Sequence, residues 1–593
     1  MPLIKKSLKW VTKHRWTSLI ISCLIFVPFL INIPKINTVS SIDEFKLHGH
    51  PDTVFYDEFK EIFGNDGFFV IAFEDEQLFS EKTLTMLSNI TAELEGLAET
   101  RKVKSLANID DLKGGEDYFE VSRFLENIPD DAEKLEMLKT TAVSNKLYRS
   151  NFISPDGSTA AVVVSTYDRP DDPEYRKKII QKTTKILDKY KTDGIRFHLA
   201  GPTKINNDIS LFMEKDLRVF IPVTFLLMTI LIWFFFKNVR LTMIAVINIT
   251  VCVGATLGLF AVTGITLNNV TSIVPPLIMA LALCDTVHIF SCLETRILKT
   301  FQNRQDAVYS VLSKVFIPCF LTTLTTVAGF ASLMTSELAP IRHFGLIAGC
   351  GMVFELVFSF LFLPALLLFC NPDKIFTIDH AEKTIKTVLT GINKMVQTHF
   401  RLIVLTGAAI SLAGVFFVGK IKVETDFVAY FKPHSQVRQA VDFVEEKMSG
   451  TGSLDIMFSA SEMDAFKNPE NLKHIETVQN YLDSLDGVDV TSSLADFIKD
   501  MNQSFHNENP AYYQIPGNRQ LIWQYLLLYD SSDIEDFVNN AFDRARISAR
   551  LSIRSSAEKQ ALVNTIQTWL ENTVPPTGVD IRITGRAVQE IAI

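Results

Sequence analysis

Long apolar runs, separated by two long stretches of mixed polarity, dominate the pattern of the chain. A helix needs about 20 apolar residues to cross the hydrocarbon core of a bilayer. Seven runs come close to or exceed that length, and they predict membrane spans over residues 16–33, 219–236, 241–262, 269–291, 315–335, 341–369 and 401–418. The first run follows a basic start, as in a signal peptide, but no small-residue cleavage site follows it, which favours an uncleaved span.

The two stretches between the spans carry alternating strand and helix patterns. Each predicts two β-α-β units with helices on one face of a sheet, which indicates a ferredoxin-like (split β-α-β) domain. The first has predicted strands at 68–73, 103–107, 160–167 and 195–200 and helices at 81–97 and 172–190; the second has strands at 454–460, 488–493, 547–554 and 579–584 and helices at 469–485 and 556–570. The insertions at 110–152 and 497–545 are polar and favour helix. The predicted fold class is an α+β membrane protein, a helical transmembrane bundle with two such domains.

One half of the chain repeats the other. The segment ending at Gly201 recurs in the segment ending at Gly585, at an offset of 585 − 201 = 384, and Phe45-Lys-Leu-His recurs as Phe431-Lys-Pro-His. Collinear matches at a near-constant offset indicate a tandem duplication. In the first copy, the segment leads into a span. We therefore expect a complete protein to continue through five further spans after Ile593, and we expect the C-terminally truncated chain not to transport by itself.

Composition limits the classes of function. The chain has 593 residues, of which 47% are hydrophobic and 21% charged, so it is too apolar for an ordinary soluble enzyme and too charged for a protein made of spans alone. Its net charge of −9 argues against a nucleic-acid partner, because phosphate binding needs concentrated Lys and Arg. All seven cysteines lie in or beside predicted spans, so the two domains are expected to fold without disulfides. No cysteine cluster has the spacing of a zinc site, and no cofactor is expected.

Basic residues between the spans predict the orientation. Lys and Arg favour the cytoplasmic side, and they occur before the first span, at 237–240, at 296–314 and at 374–394. The N-terminus is then cytoplasmic, and the two domains lie in the periplasm, outside the cell inner (plasma) membrane. Residues 371–400 have one apolar and one basic face, which is typical of a helix along the cytoplasmic leaflet; a solvated helix docked on the bundle fits equally well. The predicted parts of the chain are residues 1–33, 34–217, 218–370, 371–400, 401–418 and 419–593.

Two acidic residues fall within predicted spans. Asp285 and His288 lie three residues apart in the fourth span and so on one face of a helix. A carboxylate at the centre of a bilayer costs about 2.5–3.5 kcal/mol and is functional by default. Glu355, in the sixth span, lies at nearly the same depth when a rise of about 1.5 Å per residue is counted from the outer ends of both spans. We predict that the three residues form a proton relay. Pro275 and Pro276 are expected to kink the fourth span.

A structural interpretation competes with the relay. The Asp285 carboxyl could instead accept hydrogen bonds from hydroxyl groups of the fifth span. His288 could lie at the cytoplasmic interface, and Glu355 could face bundle water or be neutral. The candidates for polar support in the fifth span are Thr322, Thr323, Thr325 and Thr326.

Several segments match one known family. Residues 42–51 and 425–433 open the two domains in similar ways, and residues 340–345 and 363–367 stand near the two ends of the sixth span. With the plan of one span, one β-α-β domain, five clustered spans and a restart, these segments resemble the resistance-nodulation-division (RND) superfamily. Within that superfamily they resemble the MMPL-type exporters, which are related to Patched-like proteins with sterol-sensing domains.

The fourth span is similar to the signature of that family. Asp285 and His288 match the family's acid and histidine, whereas Leu281 and Ala282 stand where glycines are usual. The resemblance implies a proton-motive-force-driven exporter of lipidic or amphipathic molecules, in which the fourth-span acid binds and releases protons together with groups of a tenth span. Membrane lipids and a hydrophobic or amphipathic substrate are the expected partners, with a homo-oligomer or adaptor proteins as open alternatives.

Other classes of function stay open. The bundle could belong to a non-transporting lipid or sterol sensor, in which replacement of Asp285 by Asn would leave function intact. A protein-export accessory subunit is a weaker alternative, because the second domain does not fit its plan. A soluble enzyme is disfavoured, since no Ser, His or Asp pattern of the domains has the spacing of a nucleophilic or metal site.

Overall fold

The computed structural model describes most of the chain. The described residues are 2–38, 42–47, 49–65, 67–115, 118–169, 172, 174–191, 194–293, 303–369, 379–421, 426–529, 533–573 and 578–592. The helices in this part of the chain are α1 (Pro2–Lys13), α2 (Arg15–Asn32), α3 (Pro51–Phe63), α4 (Glu81–Glu95), α5 (Ala132–Ser144), α6 (Tyr175–Lys189), α7 (Pro202–Phe236), α8 (Val239–Thr263), α9 (Val274–Cys292), α10 (Arg304–Leu333), α11 (Ala339–Phe369), α12 (Asp379–Val418), α13 (Gln436–Lys447), α14 (Pro469–Asp483), α15 (Leu494–Ser504), α16 (Arg519–Leu528), α17 (Ser556–Asn572) and α18 (Arg586–Ala592). The strands are β1 (Phe68–Glu74), β2 (Thr100–Lys104), β3 (Asp110–Gly115), β4 (Tyr118–Arg123), β5 (Thr159–Thr166), β6 (Phe197–Ala200), β7 (Gly452–Ala460), β8 (Val488–Ser493), β9 (Arg544–Leu551) and β10 (Val579–Thr584).

The chain divides into two compact units. The helical unit comprises Met1–Phe45 and Ile209–Lys422, and the sheet unit comprises Lys46–Asp208 and Val423–Ile593. Among the described residues, seven helices are long and apolar enough to cross a membrane. One of them, α7, begins in the sheet unit at Pro202 and continues into the helical unit. The helices α7 and α10 begin earlier than the predicted spans, at Pro202 and Arg304. The prediction of an α+β membrane protein is confirmed at this level.

Close packing in the helical unit depends on glycines. In α8 and α11, 61% of the residues in the most apolar stretch are buried, which is the highest share among the seven spans. These two helices therefore form the centre of the unit. Gly254 and Gly258 of α8 face α2: a Cβ at Gly254 would lie 2.9 Å from the Phe26 ring, and one at Gly258 would lie 2.1 Å from the carbonyl oxygen of Phe29. Small residues four apart let two membrane helices approach at backbone distance.

The predicted cytoplasmic linker is part of a longer helix. The helix α12 covers both the described part of the linker and the seventh span, with non-helical backbone angles at His399. Residues 390–421 are exposed throughout, so this described part is not docked on other helices of the unit. Residues 371–378 of the predicted linker lie outside the described residues.

The sheet unit contains two four-stranded antiparallel sheets. Their strand orders are β2-β5-β1-β6 and β10-β7-β9-β8, so in both sheets the two strands joined by a helix are separated by a strand of the other β-α-β pair. This is the interleaved order of a split β-α-β arrangement. The registers also agree, because Ile71 pairs with Val162 in the first sheet and Ile456 pairs with Ile547 in the second, each shifted by 385.

The glycines that end the two repeated segments have the same structural task. Gly201 and Gly585 follow the last strand of each sheet, with φ angles of +107° and +98°. A Cβ at Gly201 would lie 3.0 Å from Cα of Phe69, and one at Gly585 would lie 2.8 Å from the amide nitrogen of Asp455. Only glycine combines this backbone conformation with such a close approach to the central strand.

The first insertion differs from its predicted helical character. The strands β3 (Asp110–Gly115) and β4 (Tyr118–Arg123) pair with each other, with Leu112 opposite Val121, and among the described residues of the insertion only those of α5 are helical. Leu112 is buried in the core of the second sheet, and Ser504 Oγ donates a hydrogen bond of 3.2 Å to its carbonyl oxygen. The polar composition of 110–123 hid the strand pair because its buried contacts come from the other half of the unit.

Each half of the sheet unit supplies a helix to the other half. The helix α3, which precedes β1, packs on β10, and Thr53 Oγ1 donates 3.2 Å to Gln589 Oε1. The helix α13, which precedes β7, packs on β6, where the ring of Phe443 stacks on His198 at 4.0 Å. The two halves therefore share one reciprocal interface.

Candidate functional site

The helix α9 presents one buried and one exposed polar face. It begins at Val274, after a 3-10 turn, with Pro275 and Pro276 in its first turn. The expected kink at these prolines was therefore wrong: their missing N–H groups fall where a helix leaves such groups unbonded anyway. Further along, Asp285 is 7% exposed and Thr286 is fully buried, so this face of α9 turns toward the other helices of the unit.

Asp285 and Glu355 lie together in the centre of the helical unit. The Glu355 side chain on α11 is 1% exposed, and its carboxyl lies within hydrogen-bond distance of the Asp285 carboxyl. Ser359, one turn after Glu355, donates a hydrogen bond of 2.8 Å from Oγ to Glu355 Oε1. Counting residues from the outer ends of the spans placed these two acids at nearly the same depth, and in the structure they lie next to each other.

Polar groups from two further helices join this acid pair. Asn248 of α8 is fully buried, and its Nδ2 donates to Ser359 Oγ at 3.2 Å and to Thr286 Oγ1 at 3.3 Å. Its Oδ1 is buried without a hydrogen-bond partner among the described residues. On α10, Cys319 is buried, and its thiol lies near the Asp285 carboxyl. Groups from α8, α9, α10 and α11 thus meet at one point.

The other predicted site residues lie elsewhere. The His288 side chain is exposed, and within the described part of the chain no hydrogen bond or ion pair joins its imidazole to Asp285. Three of the four threonine hydroxyls, those of Thr322, Thr325 and Thr326, donate to carbonyl groups of α10 itself at 2.8–3.0 Å. Only Thr323 is buried.

Three residues of the site were missed from the sequence. Ser359 follows Glu355 by four residues, a spacing that places both on one helical face and was a usable signal. Asn248 is a lone amide in an apolar span, which was a second usable signal. Cys319 offered none, because a buried cysteine behaves as a small apolar residue in most helices.

A glycine on the neighbouring helix permits the approach of the two acids. A Cβ at Gly351 of α11 would lie 2.8 Å from Cδ1 of Ile278 on α9 and 3.0 Å from Cγ2 of Thr256 on α8. Leu281 and Ala282 on α9 therefore do not prevent close packing there. The glycine of this contact stands on α11.

The sheet unit contains a cavity of about 260 Å³ between its two sheets. Side chains of β2 and β5 form one wall, and side chains of β7, β8 and β9 form the other. The walls combine apolar rings with charged groups. Among the lining residues are Phe63, Phe68, Phe152, Phe537, Lys102, Lys104, Asp455, Asp500, Arg546 and Arg550.

Most charges of the cavity wall are paired. Lys102 Nζ lies 2.6 Å from Asp536 Oδ2, and Lys104 pairs with Asp533. Two charges differ. Burial and the carboxylates of nearby residues raise the pKa of Asp500 to about 7. Burial lowers the pKa of Arg550 to about 10, which still leaves its guanidinium charged at neutral pH.

These features define a multi-pass membrane protein with an acid pair inside its helical unit. The chain belongs to the MMPL family: the family model matches residues 70–386, more than half of the 593 residues. The matched segment contains the first sheet except for the first two residues of β1, together with α7 to α11 and both acids. The family resemblance drawn from the sequence is confirmed. None of the curated proteins compared with the chain matches it.

Proposed function

We propose that the protein is a proton-driven RND-type transporter that exports lipidic or amphipathic molecules, and that it is not an enzyme. The buried pair of Asp285 and Glu355 carries this proposal. Ionised carboxylates only accept hydrogen bonds, so two carboxyl groups at hydrogen-bond distance need a proton between them. A buried pair that gains and loses a proton can bias the packing of the helices around it.

The surrounding polar groups supply a path and an orientation for the pair. Ser359 fixes one oxygen of Glu355, and Asn248 fixes Ser359. The unbonded Oδ1 of Asn248 offers an acceptor to a water molecule, because buried polar groups are rarely left without a partner. We place exposed His288, about one turn beyond Asp285, at the cytoplasmic end of the path.

The proposed setting follows the charge distribution. The basic segments support a cytoplasmic N-terminus in the inner membrane and a periplasmic sheet unit with ferredoxin-like halves. Membrane lipids and the amphipathic cargo are the proposed partners, and further copies or adaptor proteins would complete the assembly.

Replacing the acids in the native gene tests the proposal. Inverted membrane vesicles from such cells are loaded with a fluorescent lipid analogue, and its movement is followed with and without a proton gradient. We expect Asp285→Asn and Glu355→Gln each to reduce gradient-driven movement at least tenfold, since neither amide can release a proton. Asp306→Asn, which replaces an exposed acid in the first turn of α10, is the matched control and should transport as the wild type does.

Two results would contradict the proposal. Gradient-driven movement by Asp285→Asn at the wild-type rate would remove the acid pair from the mechanism. Binding of the lipid analogue by the wild type without any movement under a gradient would favour the non-transporting lipid sensor.

A further inference from the structure

Arg550, like Arg101, is a cation of the cavity in the sheet unit that lies outside its ion pairs. Among the described residues, no carboxylate pairs with its guanidinium, and the contact that the structure gives is the ring of Phe68, whose centroid lies 5.4 Å away. Arg546, four residues earlier on β9, pairs with Asp455 at 3.8 Å. A cation that is partly shielded from water and has no carboxylate partner favours an anion that offsets its charge.

Hydroxyl groups surround Arg550 on the same face of the second sheet. Ser453 of β7 lies directly opposite Arg550 in the strand register, and Ser548 lies two residues before it on β9. Ser492 of β8 lies opposite Ser548. All four side chains line the cavity. A guanidinium with neighbouring hydroxyl donors matches the oxygens of a carboxylate or phosphate group.

The facing wall combines the lysines of β2 with an apolar surface. Phe68 of β1 and Val163 of β5 lie across from the hydroxyl groups, and Phe63 and Phe152 extend this surface. The volume of about 260 Å³ is close to the lower end of the range of roughly 300–1,000 Å³ for small-molecule pockets. The cavity therefore fits a short amphiphile, or the head end of a longer one.

We propose that this cavity binds an anionic amphiphile, with its carboxylate or phosphate group on Arg550 and its hydrocarbon part against Phe68. The proposal rests on the proposed function, because it names the chemical class of the cargo. Ser453 and Ser548 donate the hydrogen bonds that the anionic oxygens still require. Partial burial of the guanidinium strengthens its attraction for an anion, since water screens the pair less than it does at an open surface.

Binding to the purified full-length protein in nanodiscs tests the proposal. Four probes share one chain length: decanoate, decyl phosphate, decanol and decyltrimethylammonium. We expect both anionic probes to bind at least tenfold more tightly than decanol and the cationic probe. Arg550→Gln should remove this preference, and Arg550→Lys should keep part of it. Arg544→Gln is the matched control, because Arg544 lies on the same strand outside the cavity and donates 3.0 Å to the Ala460 carbonyl.

Stability separates loss of binding from loss of fold. Arg550→Gln removes a partly buried charge that has no carboxylate partner, so its melting temperature without ligand should equal or exceed that of the wild type. An unchanged anion preference in Arg550→Gln, or decanol binding as tight as decanoate binding, would overturn the proposal. Inorganic phosphate that binds as tightly as decyl phosphate would also overturn it, because the site would then take a free anion.

The two proposals can fail separately. If Asp285→Asn abolishes gradient-driven movement while Arg550→Gln leaves decanoate binding unchanged, the cargo class is wrong and the transporter stands. If decanoate binds through Arg550 while Asp285→Asn transports normally, the anion site stands and the proton mechanism is wrong.

Discussion

Single residues of the sheet unit show how surroundings decide the state of a buried charge. Lys467 lies between two rings, 3.6 Å from the Trp523 centroid and 4.1 Å from that of Phe542, and pairs with Asp464 at 2.7 Å. Its charge is stabilised on every side. The ionised form of Asp500 is destabilised, because burial removes its hydration and the charges of Glu508 and other acids repel its own. The pKa of Asp500 is therefore raised to about 7.

This raised pKa predicts a loss of stability as the pH rises. The unfolded chain ionises Asp500 near pH 3.9, whereas the folded state keeps the proton until about pH 7. Between these values the folded state binds the proton more tightly, so raising the pH costs folding free energy, about 4 kcal/mol once the group is ionised in both states. We expect Asp500→Asn to melt at a higher temperature than the wild type at pH 8 and to show less pH dependence.

Thermal melting of the full-length protein from pH 5 to pH 8.5 measures this effect. Asp130→Asn, at an exposed aspartate of the same unit, should follow the wild-type curve. A wild-type and an Asp500→Asn curve that stay parallel across this range would show that Asp500 does not titrate there.

At the scale of elements, one face of α11 builds most of the acid site. Gly351, Glu355 and Ser359 are spaced four residues apart and lie on one side of the helix. They supply the close approach to α9, the acid and the donor that orients the acid. The site therefore depends on how near α11 and α9 come to each other.

Enlarging the glycine of α11 should separate the acids. A Cβ at residue 351 would lie 2.8 Å from Ile278 Cδ1, so we expect Gly351→Val to push α9 away and to lower gradient-driven movement of the lipid analogue at least fivefold. Gly349→Val is the control, because a Cβ there would meet only Cβ of Phe330 at 3.8 Å. Equal transport by both variants, at equal amounts in the membrane, would contradict this view of α11.

The same elements show what the sequence could predict. The predicted strands of both sheets lie within a few residues of those observed, because their apolar runs are bounded by turns and by capping residues such as Ser80. The similar depth of Asp285 and Glu355 along their spans could also be predicted from the sequence. The rotation of α10 about its axis could not be predicted from the sequence. Its threonines are spread around the helix, so no hydrophobic face distinguished Cys319, which points inward, from Thr322, which points outward.

At the scale of the whole molecule, the halves of the sheet unit depend on each other. The helix α3 belongs to the first half in sequence, yet its buried rings Tyr56, Phe59 and Phe63 pack with Met457 of the second sheet. The helix α13 makes the reverse contact with the first sheet, where Lys447 Nζ also lies 2.6 Å from Glu74 Oε1. Each sheet therefore packs against a helix from the other half.

This exchange predicts that damage in one half weakens the other. Phe59 is fully buried, so Phe59→Ala should lower the free energy of unfolding by about 3–5 kcal/mol, the usual cost of emptying a large core site. Hydrogen exchange should then accelerate at β7 and β10, although the substitution lies about 400 residues earlier in the chain. Val54→Ala, on the same helix at a side chain that is 58% exposed, should leave exchange unchanged. Faster exchange confined to residues 46–208 would mean that the halves fold independently, and the reciprocal helices would then be contacts of little energetic weight.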